Sequence, residues 1–452
     1  MTAIQSTIVE LTEASSASHD ADVIARATPD EWKALGVTVE RRIDDDPAEW
    51  RLRAGNIVGV AEIGPTDAPL RVRIRPKLRA DLFALADWAF AETGTPPTSL
   101  TSAQLANIER DPAACIIAWY LQALESFAVR WLRRSSQHRD EVLTGRVRGQ
   151  ILTTEYVGRY VSTAQAHRVP CRYVDMSRDT LVNRVLLRAL RHVVTILPAI
   201  ELPIAREQLR AAVNRIEPLL AGVTMQNITA GDFVRIRFAG PHRHYKPIIT
   251  KSRAILQGMF ATDELGANRQ PAFVWSAPRL FQEALRGLLR AEGIGDIVAA
   301  RPRLEIAYGD TLMRGGLVDP DYVVVDGDRT LLLDAKWKDI GQGNSTTTDE
   351  QMSLQVTPTL TIKVGRADIY QAVSYRNHES WTPATVGLVY PIALPEGSTL
   401  PTPRAIGGFG LPVWVFFLDV GMNARVHRRA FFEQVADAWA KPLSSSAARV
   451  VI

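Results

Sequence analysis

The chain has 452 residues, of which 46% are hydrophobic and 23% are charged, and its formal net charge is +4. This composition is typical of a packed globular protein and excludes a largely disordered chain, while the length predicts about two to four domains. Its two cysteines exclude a disulfide-dense scaffold and a cysteine-rich zinc module. The sequence shows no signal peptide and no run of 18 apolar residues, so we expect a cytoplasmic protein without a membrane span.

The N-terminal part predicts a β-rich domain over residues 46–105. Residues 1–45 are acidic and rich in small residues, and no pattern in them assigns an element. Strands are expected over 50–64 and 70–78, where apolar residues alternate with arginines at the strand period of two and Pro76 should end the second strand. A helix is expected over 82–92, followed by a linker over 93–108.

Residues 106–265 predict a mainly helical region. Apolar residues recur at three- and four-residue spacing in three segments, 115–134, 179–197 and 201–220. Either Asp179 or Thr180 is expected to cap the second of these helices.

Residues 266–452 predict a mixed α/β domain. It opens with a helix over 276–294 that Gly293 should end, and it closes with a helix over 428–443. Between them, a further helix is expected over 367–378 and a long polar loop over 341–365. Strands are expected over 301–309, 321–328, 329–338, 386–394 and 413–420. The fold class we expect is therefore a multidomain α+β chain.

Two carboxylates and a lysine are predicted to converge at one end of a hairpin within 318–338. Asp334 and Lys336 project to one face because alternate residues of a strand share a face, and the turn at Asp326-Gly327 brings Asp321 back beside them. Paired carboxylates can hold Mg²⁺, and the ammonium group can orient a nucleophile or neutralise developing charge. The alternative is a surface hairpin with a salt bridge, which the apolar run before Asp334 argues against.

Two further features of this region leave alternatives open. Asp319 shares a strand face with Asp321, so spacing alone does not choose between the two acids. In the helix that follows, Gln371 and Tyr375 are four residues apart and share a face, which is equally typical of the polar side of an amphipathic helix.

These motifs, taken in order, resemble a known family. Pro320-Asp321, the D-A-K run at 334–336 and the Gln371-xxx-Tyr375 pair are similar to the RecB-type branch of the PD-(D/E)xK nucleases. Over about residues 50–395 the ordered segments LRVRIRPKL, LTGRVRGQI, HYKPIITKSRAIL, DAKWK, DIYQAVSY and GLVYP resemble the McrC family. McrC is the nuclease subunit of the McrBC modification-dependent (5-methylcytosine) restriction system.

The resemblance implies a PD-(D/E)xK, restriction-endonuclease-like domain at 266–452 that cleaves modified DNA with Mg²⁺. Asp321 and Asp334 match the metal-binding catalytic acids, and Lys336 matches the catalytic lysine. Gln371 and Tyr375 match the supporting helix, which contacts DNA or orients the site.

Two positions depart from the family pattern. Trp337 stands where the family more often has tyrosine. A metal-binding acid expected on the preceding helix aligns with Gln282, which leaves Glu283 as an alternative metal ligand.

The resemblance also implies a partner, an McrB-like AAA+ GTPase hexamer that residues 106–265 would dock to and stimulate. The sequence itself contains no G-x-x-x-x-G-K-[ST] nucleotide-binding motif, as expected of a subunit that depends on an external motor. Two alternatives remain: a non-catalytic activator and assembly subunit of the ring, and a stand-alone RecB-like repair nuclease.

Overall fold

The structure is a computed structural model, and the residues that it describes fall into thirteen ranges. These are 7–41, 50–65, 68–90, 111–257, 272–298, 303–308, 311–317, 320–338, 351–357, 360–376, 384–407, 411–421 and 424–440. The chain divides into two compact units. The first comprises residues 1–119, 199–205 and 257–452, and the second comprises 120–198 and 206–256. The four-domain division expected from the sequence stays a prediction.

The N-terminal part of the first unit contains a four-stranded sheet and a small three-stranded sheet. The larger sheet, called the N-terminal sheet here, has the strand order Thr7–Thr12, Leu70–Arg75, Ile57–Ile63, Ala272–Ser276. The first pair is parallel and the others are antiparallel. The smaller sheet is Ser16–His19, Trp50–Ala54, Val37–Arg41, and the helices are Ala21–Ile24, Pro29–Ala34 and Leu82–Ala89.

One apolar core joins these two sheets, and it includes Val9, Trp32, Leu52 and Val72. Residues 7–41, which the sequence left without an element, are therefore an integral part of this β-rich region. The strand Leu70–Arg75 ends before Pro76, as predicted. The predicted linker over 93–108 lies outside the described residues.

The second unit is mainly helical, as predicted, but it also contains an antiparallel sheet that the sequence did not predict. The sheet order is Ser135–Thr144, Arg168–Ser177, Gln150–Ile151. The first strand, SSQHRDEVLT, is polar on both faces, so it carries no period-two apolar signal. The helices and helical turns of this part of the chain are Pro112–Trp131, Thr153–Glu155, Tyr156–Val161, Leu181–Ile196, Leu197–Ala199, Pro203–Ile216, Glu217–Leu220, Ala230–Arg235, Gly240–Tyr245 and Lys246–Gln257.

Two details of these helices settle expectations from the sequence. Thr180 caps the helix Leu181–Ile196, because its hydroxyl accepts a hydrogen bond from the backbone amide of Asn183 at 3.4 Å. Among the described residues one helix, Pro112–Trp131, is long and apolar enough to cross a membrane. Because 72% of its apolar window is buried inside the chain, it has the character of a core helix.

The C-terminal part of the first unit is built on a six-stranded mixed sheet, called the central sheet here. Its strand order is Asp296–Val298, Tyr322–Asp326, Arg329–Ala335, Ala384–Ile392, Val413–Asp419, Arg404–Ile406. Strands Arg329–Ala335, Ala384–Ile392 and Val413–Asp419 run parallel, and the outer pairings are antiparallel. The helices are Ala277–Glu292, Arg366–Arg376 and Ala424–Ala440. Together with the N-terminal sheet and the mainly helical second unit, this sheet confirms the predicted α+β class.

Two further hairpins belong to this part of the chain, Arg303–Tyr308 with Thr311–Leu317 and Gln351–Thr357 with Leu360–Gly365. The second corrects the polar loop predicted over 341–365. Its strands alternate Met352, Leu354 and Val356, then Leu360, Ile362 and Val364, with polar residues, which is a strand signal that the overall polarity of the segment obscured. Residues 341–350 of the predicted loop lie outside the described residues.

The helix Ala277–Glu292 depends on a glycine in its interior. A Cβ atom at Gly287 would lie 1.8 Å from the backbone oxygen of Trp88, in the helix Leu82–Ala89. The two helices therefore approach too closely for a side chain at this position. The helix ends at Gly293, whose φ of 61° is left-handed, as the sequence predicted.

We predict that Gly287→Ala lowers the Tm of the chain, although alanine is better than glycine in a helix by about 1 kcal/mol. The reason is the backbone clash with Trp88. Gly231→Ala is the control, because in the helix Ala230–Arg235 a new Cβ would meet only an ordinary contact at 3.7 Å. Thermal unfolding of both variants checks this, and a raised Tm for Gly287→Ala would contradict the packing described.

Candidate active site

The candidate site lies at one end of the hairpin formed by Tyr322–Asp326 and Arg329–Ala335, called the site hairpin here. Its apolar runs are buried within the central sheet, and Tyr322 pairs with Leu333 across the hairpin. This register sets Asp321, just before the first strand, beside the end of the second. The backbone amide of Lys336 continues the ladder by donating to Val389 O at 2.9 Å.

The two acids lie side by side with different partners. Asp321 accepts hydrogen bonds from the Ala335 amide at 2.7 Å and from Gln282 Nε2 at 3.0 Å. Asp334 is only 4% exposed and forms an ion pair with the Lys336 ammonium group.

Burial of these carboxylates changes their acidity. Burial, and then the negative charge of Asp334, raises the pKa of Asp321 to about 6. Burial also raises the pKa of Asp334, against the lowering effect of Lys336. Two adjacent carboxylates in this environment repel one another when both are ionised.

The ammonium group of Lys336 is held by residues of the helix Arg366–Arg376. Lys336 Nζ donates to Gln371 Oε1 at 2.7 Å, and Gln371 Nε2 donates in turn to the Tyr375 hydroxyl at 2.5 Å. Gln371 therefore contacts the predicted lysine directly, and Tyr375 is linked to it through Gln371. Their shared helix face points at the site and is not simply the polar side of an amphipathic helix.

Two polar residues beside Lys336 and Lys338, Asp368 and Tyr390, were not assigned to the site from the sequence. Asp368 is 5% exposed and accepts from Lys338 Nζ at 2.7 and 2.9 Å and from the Tyr390 hydroxyl at 2.8 Å. Its Oδ1 lies 3.9 Å from Lys336 Nζ. Asp368 precedes Gln371 by three residues on the same helix face, which is the signal that could have identified it. No sequence signal marks Tyr390, which lies within an apolar strand.

The helix Ala277–Glu292 presents Gln282 to the site, and Glu283 turns elsewhere. Adjacent residues of a helix point about 100° apart, so Glu283 does not share the direction of Gln282. Its Oε1 accepts a hydrogen bond from Arg286 Nη1 at 2.7 Å. Among the described residues, no group of three or more histidine, cysteine, aspartate or glutamate side chains could hold a metal ion. The role of Glu283 as a metal ligand stays a prediction, and Asp319 lies outside the described residues.

The donor set nevertheless fits a hard divalent cation. Asp321 and Asp334 offer adjacent carboxylate oxygens, the ligands that Mg²⁺ prefers, and Mg²⁺ commonly takes only one or two carboxylates while keeping several waters. A cation between them would offset the cost of burying ionised carboxylates, which raises the pKa of both acids. The two acids are therefore the residues of this site that could hold a metal.

Comparison with known proteins identifies the family. The model of the family described as McrBC 5-methylcytosine restriction system component matches residues 52–391. The chain belongs to this McrBC family. The resemblance inferred from the ordered sequence motifs is thus confirmed.

One solved structure shows a similar fold. The chain is similar to one in the refined half-complex from a tetradecameric assembly of Thermococcus gammatolerans McrB AAA+ hexamers with bound McrC. The TM-score is 0.52 at 15% identity, covering 94% of this chain and 100% of that one. A second match, in the cryo-EM structure of the Thermococcus gammatolerans McrBC complex, has a TM-score of 0.42 at 14% identity and covers 63% of this chain and 87% of that one. No curated protein matches the chain.

We predict that Asp321→Asn raises the Tm of the metal-free chain at pH 7 and raises it less at pH 4. The pKa of Asp321 is shifted up from an ordinary value of 3.8 to about 6, so the folded chain binds more protons than the unfolded chain between these values. Stability from this group is consequently lost as pH rises through that window. Asparagine carries no such charge, so its advantage of a few degrees should appear mainly above pH 6.

Thermal unfolding in EDTA at the two pH values measures this difference. Asp326→Asn serves as the control, because Asp326 lies exposed at the turn of the same hairpin and forms an ion pair with Arg329, which is exposed as well. Equal Tm changes at both pH values for Asp321→Asn would show that the acids are not strained by burial and repulsion.

Proposed function

We propose that the chain is the DNA endonuclease subunit of an McrBC-type restriction system and hydrolyses phosphodiester bonds of modified, 5-methylcytosine-containing DNA with Mg²⁺. The observation that carries this proposal is the convergence of Asp321, Asp334 and Lys336 at the end of the site hairpin. Membership of the McrBC family supplies the biological setting. A PD-(D/E)xK nuclease domain over 266–452 is part of the proposal.

The two acids and the lysine have separate roles in this reaction. Asp321 and Asp334 would hold the metal through their carboxylate oxygens. When bound, Mg²⁺ polarises the scissile phosphate and lowers the pKa of a bound water. Lys336 orients the nucleophile and neutralises the negative charge that develops on the phosphate. Because Asp334 is buried, these charges act in a medium less polarisable than water, which strengthens them.

The helix Arg366–Arg376 fixes the position of the lysine. Gln371 Oε1 accepts a hydrogen bond from the ammonium group of Lys336, and Gln371 Nε2 donates one to the hydroxyl of buried Tyr375. An amide acceptor binds the ammonium group without adding a further negative charge to those of the two acids and the nearby Asp368. Gln371 is exposed, so its side chain can also contact DNA.

The proposed partner is an AAA+ GTPase ring that this chain stimulates. The sequence has no nucleotide-binding P-loop motif of its own, so a motor must come from another subunit. The similar solved assembly consists of McrB AAA+ hexamers with bound McrC. We infer that the helical region 106–265 docks to the ring and that the complex acts in the cytoplasm, where its DNA substrate enters.

One observation favours a second function, that of a non-catalytic activator of the ring. The helix Ala277–Glu292 presents the neutral Gln282 to Asp321, where a third acid would strengthen a metal site. The presence of both acids and Lys336 favours catalysis over this alternative. A stand-alone repair nuclease is less consistent with the family match, which extends over residues 52–391.

We predict that the chain, mixed with an McrB-like AAA+ subunit, GTP and Mg²⁺, cuts plasmid methylated at cytosine. Asp334→Ala should lower the cleavage rate by about a hundredfold or more, since it removes a group that acts in the transition state. The variant should still stimulate GTP hydrolysis by the ring. Asp326→Ala, at the exposed turn of the same hairpin, is the matched control and should cut like the wild type.

Three outcomes are distinguishable. Partner-dependent cutting that is lost in Asp334→Ala and retained in Asp326→Ala supports the nuclease. Equal cutting by Asp334→Ala would place the active site elsewhere. Stimulation of GTP hydrolysis without cutting, even by the wild type, would favour the activator.

A further inference from the structure

A buried acid near the N-terminus contacts the residue that follows Lys336. Glu13 comes directly after the strand Thr7–Thr12 and is only 1% exposed. Its Oε1 accepts from Trp337 Nε1 at 2.7 Å, and its Oε2 accepts from the Lys77 amide at 3.3 Å. The Lys77 ammonium group lies 3.5 Å from Glu13 Oε1.

Lys77 completes the attachment from the other side of the same residue. Its Nζ donates to Trp337 O at 2.9 Å, so the indole and the backbone carbonyl of Trp337 are both held by residues of the N-terminal sheet. We call Glu13, Lys77 and Trp337 the N-terminal clamp. It binds the chain at Trp337, the residue after Lys336. The backbone amide of Lys336 still belongs to the ladder of the central sheet, just beyond the strand Arg329–Ala335.

The clamp also contacts the helix that presents Gln282. The ring of Trp337 packs against Phe281, with centroids 5.5 Å apart, and Phe281 precedes Gln282, which hydrogen-bonds Asp321. One residue therefore joins the N-terminal sheet, the strand end that carries Lys336 and the helix that contacts the first acid.

Stability alone is a poor explanation for the clamp. Burying a carboxylate is costly, and a buried ion pair commonly stabilises a fold no more than apolar residues of the same size. Burial indeed raises the pKa of Glu13, despite the favourable charge of Lys77. Directional hydrogen bonds, in contrast, fix the position and orientation of Trp337 in a way that apolar packing does not.

We propose that Glu13 and Lys77 are positioning residues that act through Trp337 to hold Lys336 in place beside the two acids. This inference rests on the proposed nuclease function. It gives a role to Glu13, which lies in a part of the sequence that no motif covers. Displacement of a catalytic group by about 1 Å can lower a rate by up to a hundredfold, so a clamp next to Lys336 can control the rate without touching DNA.

The first test uses hydrogen exchange of the full chain without metal. Glu13→Ala should increase the exchange rates of the Lys336 and Lys338 amides by about tenfold, because local opening of the strand end becomes easier. Amides of Leu332 and Leu333 within the strand are the internal reference. Val9→Ala is the matched control, since Val9 is fully buried in the strand before Glu13 and does not touch Trp337.

The second test measures cleavage of cytosine-methylated plasmid by the full complex with GTP and Mg²⁺. Glu13→Ala and Trp337→Phe should each lower kcat by about tenfold, with KM for DNA and stimulation of GTP hydrolysis unchanged. The double variant should be no slower than either single variant, because both remove the same contact. Glu13→Gln keeps an acceptor for Trp337 Nε1 and should restore most of the rate.

The outcomes separate this inference from the proposed function. If the wild type cuts and Asp334→Ala does not, but Glu13→Ala exchanges and cuts like Val9→Ala, the clamp is structural and the inference is wrong. Multiplying effects in the double variant would contradict it in the same way. If the wild type does not cut at all, the nuclease function fails, and the positioning role fails with it.

Discussion

The rest of the site depends on one constraint: two carboxylates, buried Asp334 and partly buried Asp321, lie side by side at the end of a β-hairpin. Asp321 and Asp334 repel one another, and burial removes the water that would screen them. Surrounding residues replace the hydrogen bonds and the screening that water would provide. The Ala335 backbone amide and the Gln282 side-chain amide donate to Asp321, and the Lys336 ammonium group pairs with Asp334. A divalent cation would complete this compensation, which is why the arrangement favours metal-dependent chemistry over a structural salt bridge.

The compensation extends outward in layers. Lys336 needs a fixed position to serve both the acids and a substrate, and Gln371 holds it through an amide that is anchored on Tyr375. Asp368 balances the positive charge of Lys338 and is itself bound by Tyr390. The N-terminal clamp binds the chain at Trp337, two residues beyond the end of the same strand. Three buried acids of the described residues, Glu13, Asp334 and Asp368, thus lie around this one strand end.

The sequence predicted the site better than the framework around it. The pairing of Asp334 and Lys336 with an acid at the start of the hairpin follows from strand periodicity and an Asp-Gly turn, because both are local signals. The choice of Asp321 over Asp319 came from the family resemblance. The strand Ser135–Thr144 has no alternation of apolar and polar residues, so its sheet was not predicted. The hairpin from Gln351 to Gly365 has such an alternation, but the high overall polarity of the segment led to the prediction of a loop. Glu13 could not be found at all, because its partner Trp337 is 324 residues away in the chain. Pairings of that kind depend on tertiary structure alone.

The central claim is that Asp321 and Asp334 hold a divalent metal ion, and the location of a bound ion tests it most directly. Crystals of the full chain soaked in Mn²⁺, a substitute for Mg²⁺ that scatters anomalously, would reveal where the ion binds. We expect an anomalous peak in contact with carboxylate oxygens of both acids in the wild type, and none there in Asp334→Asn. A peak elsewhere, or an unchanged peak in the variant, would contradict the account.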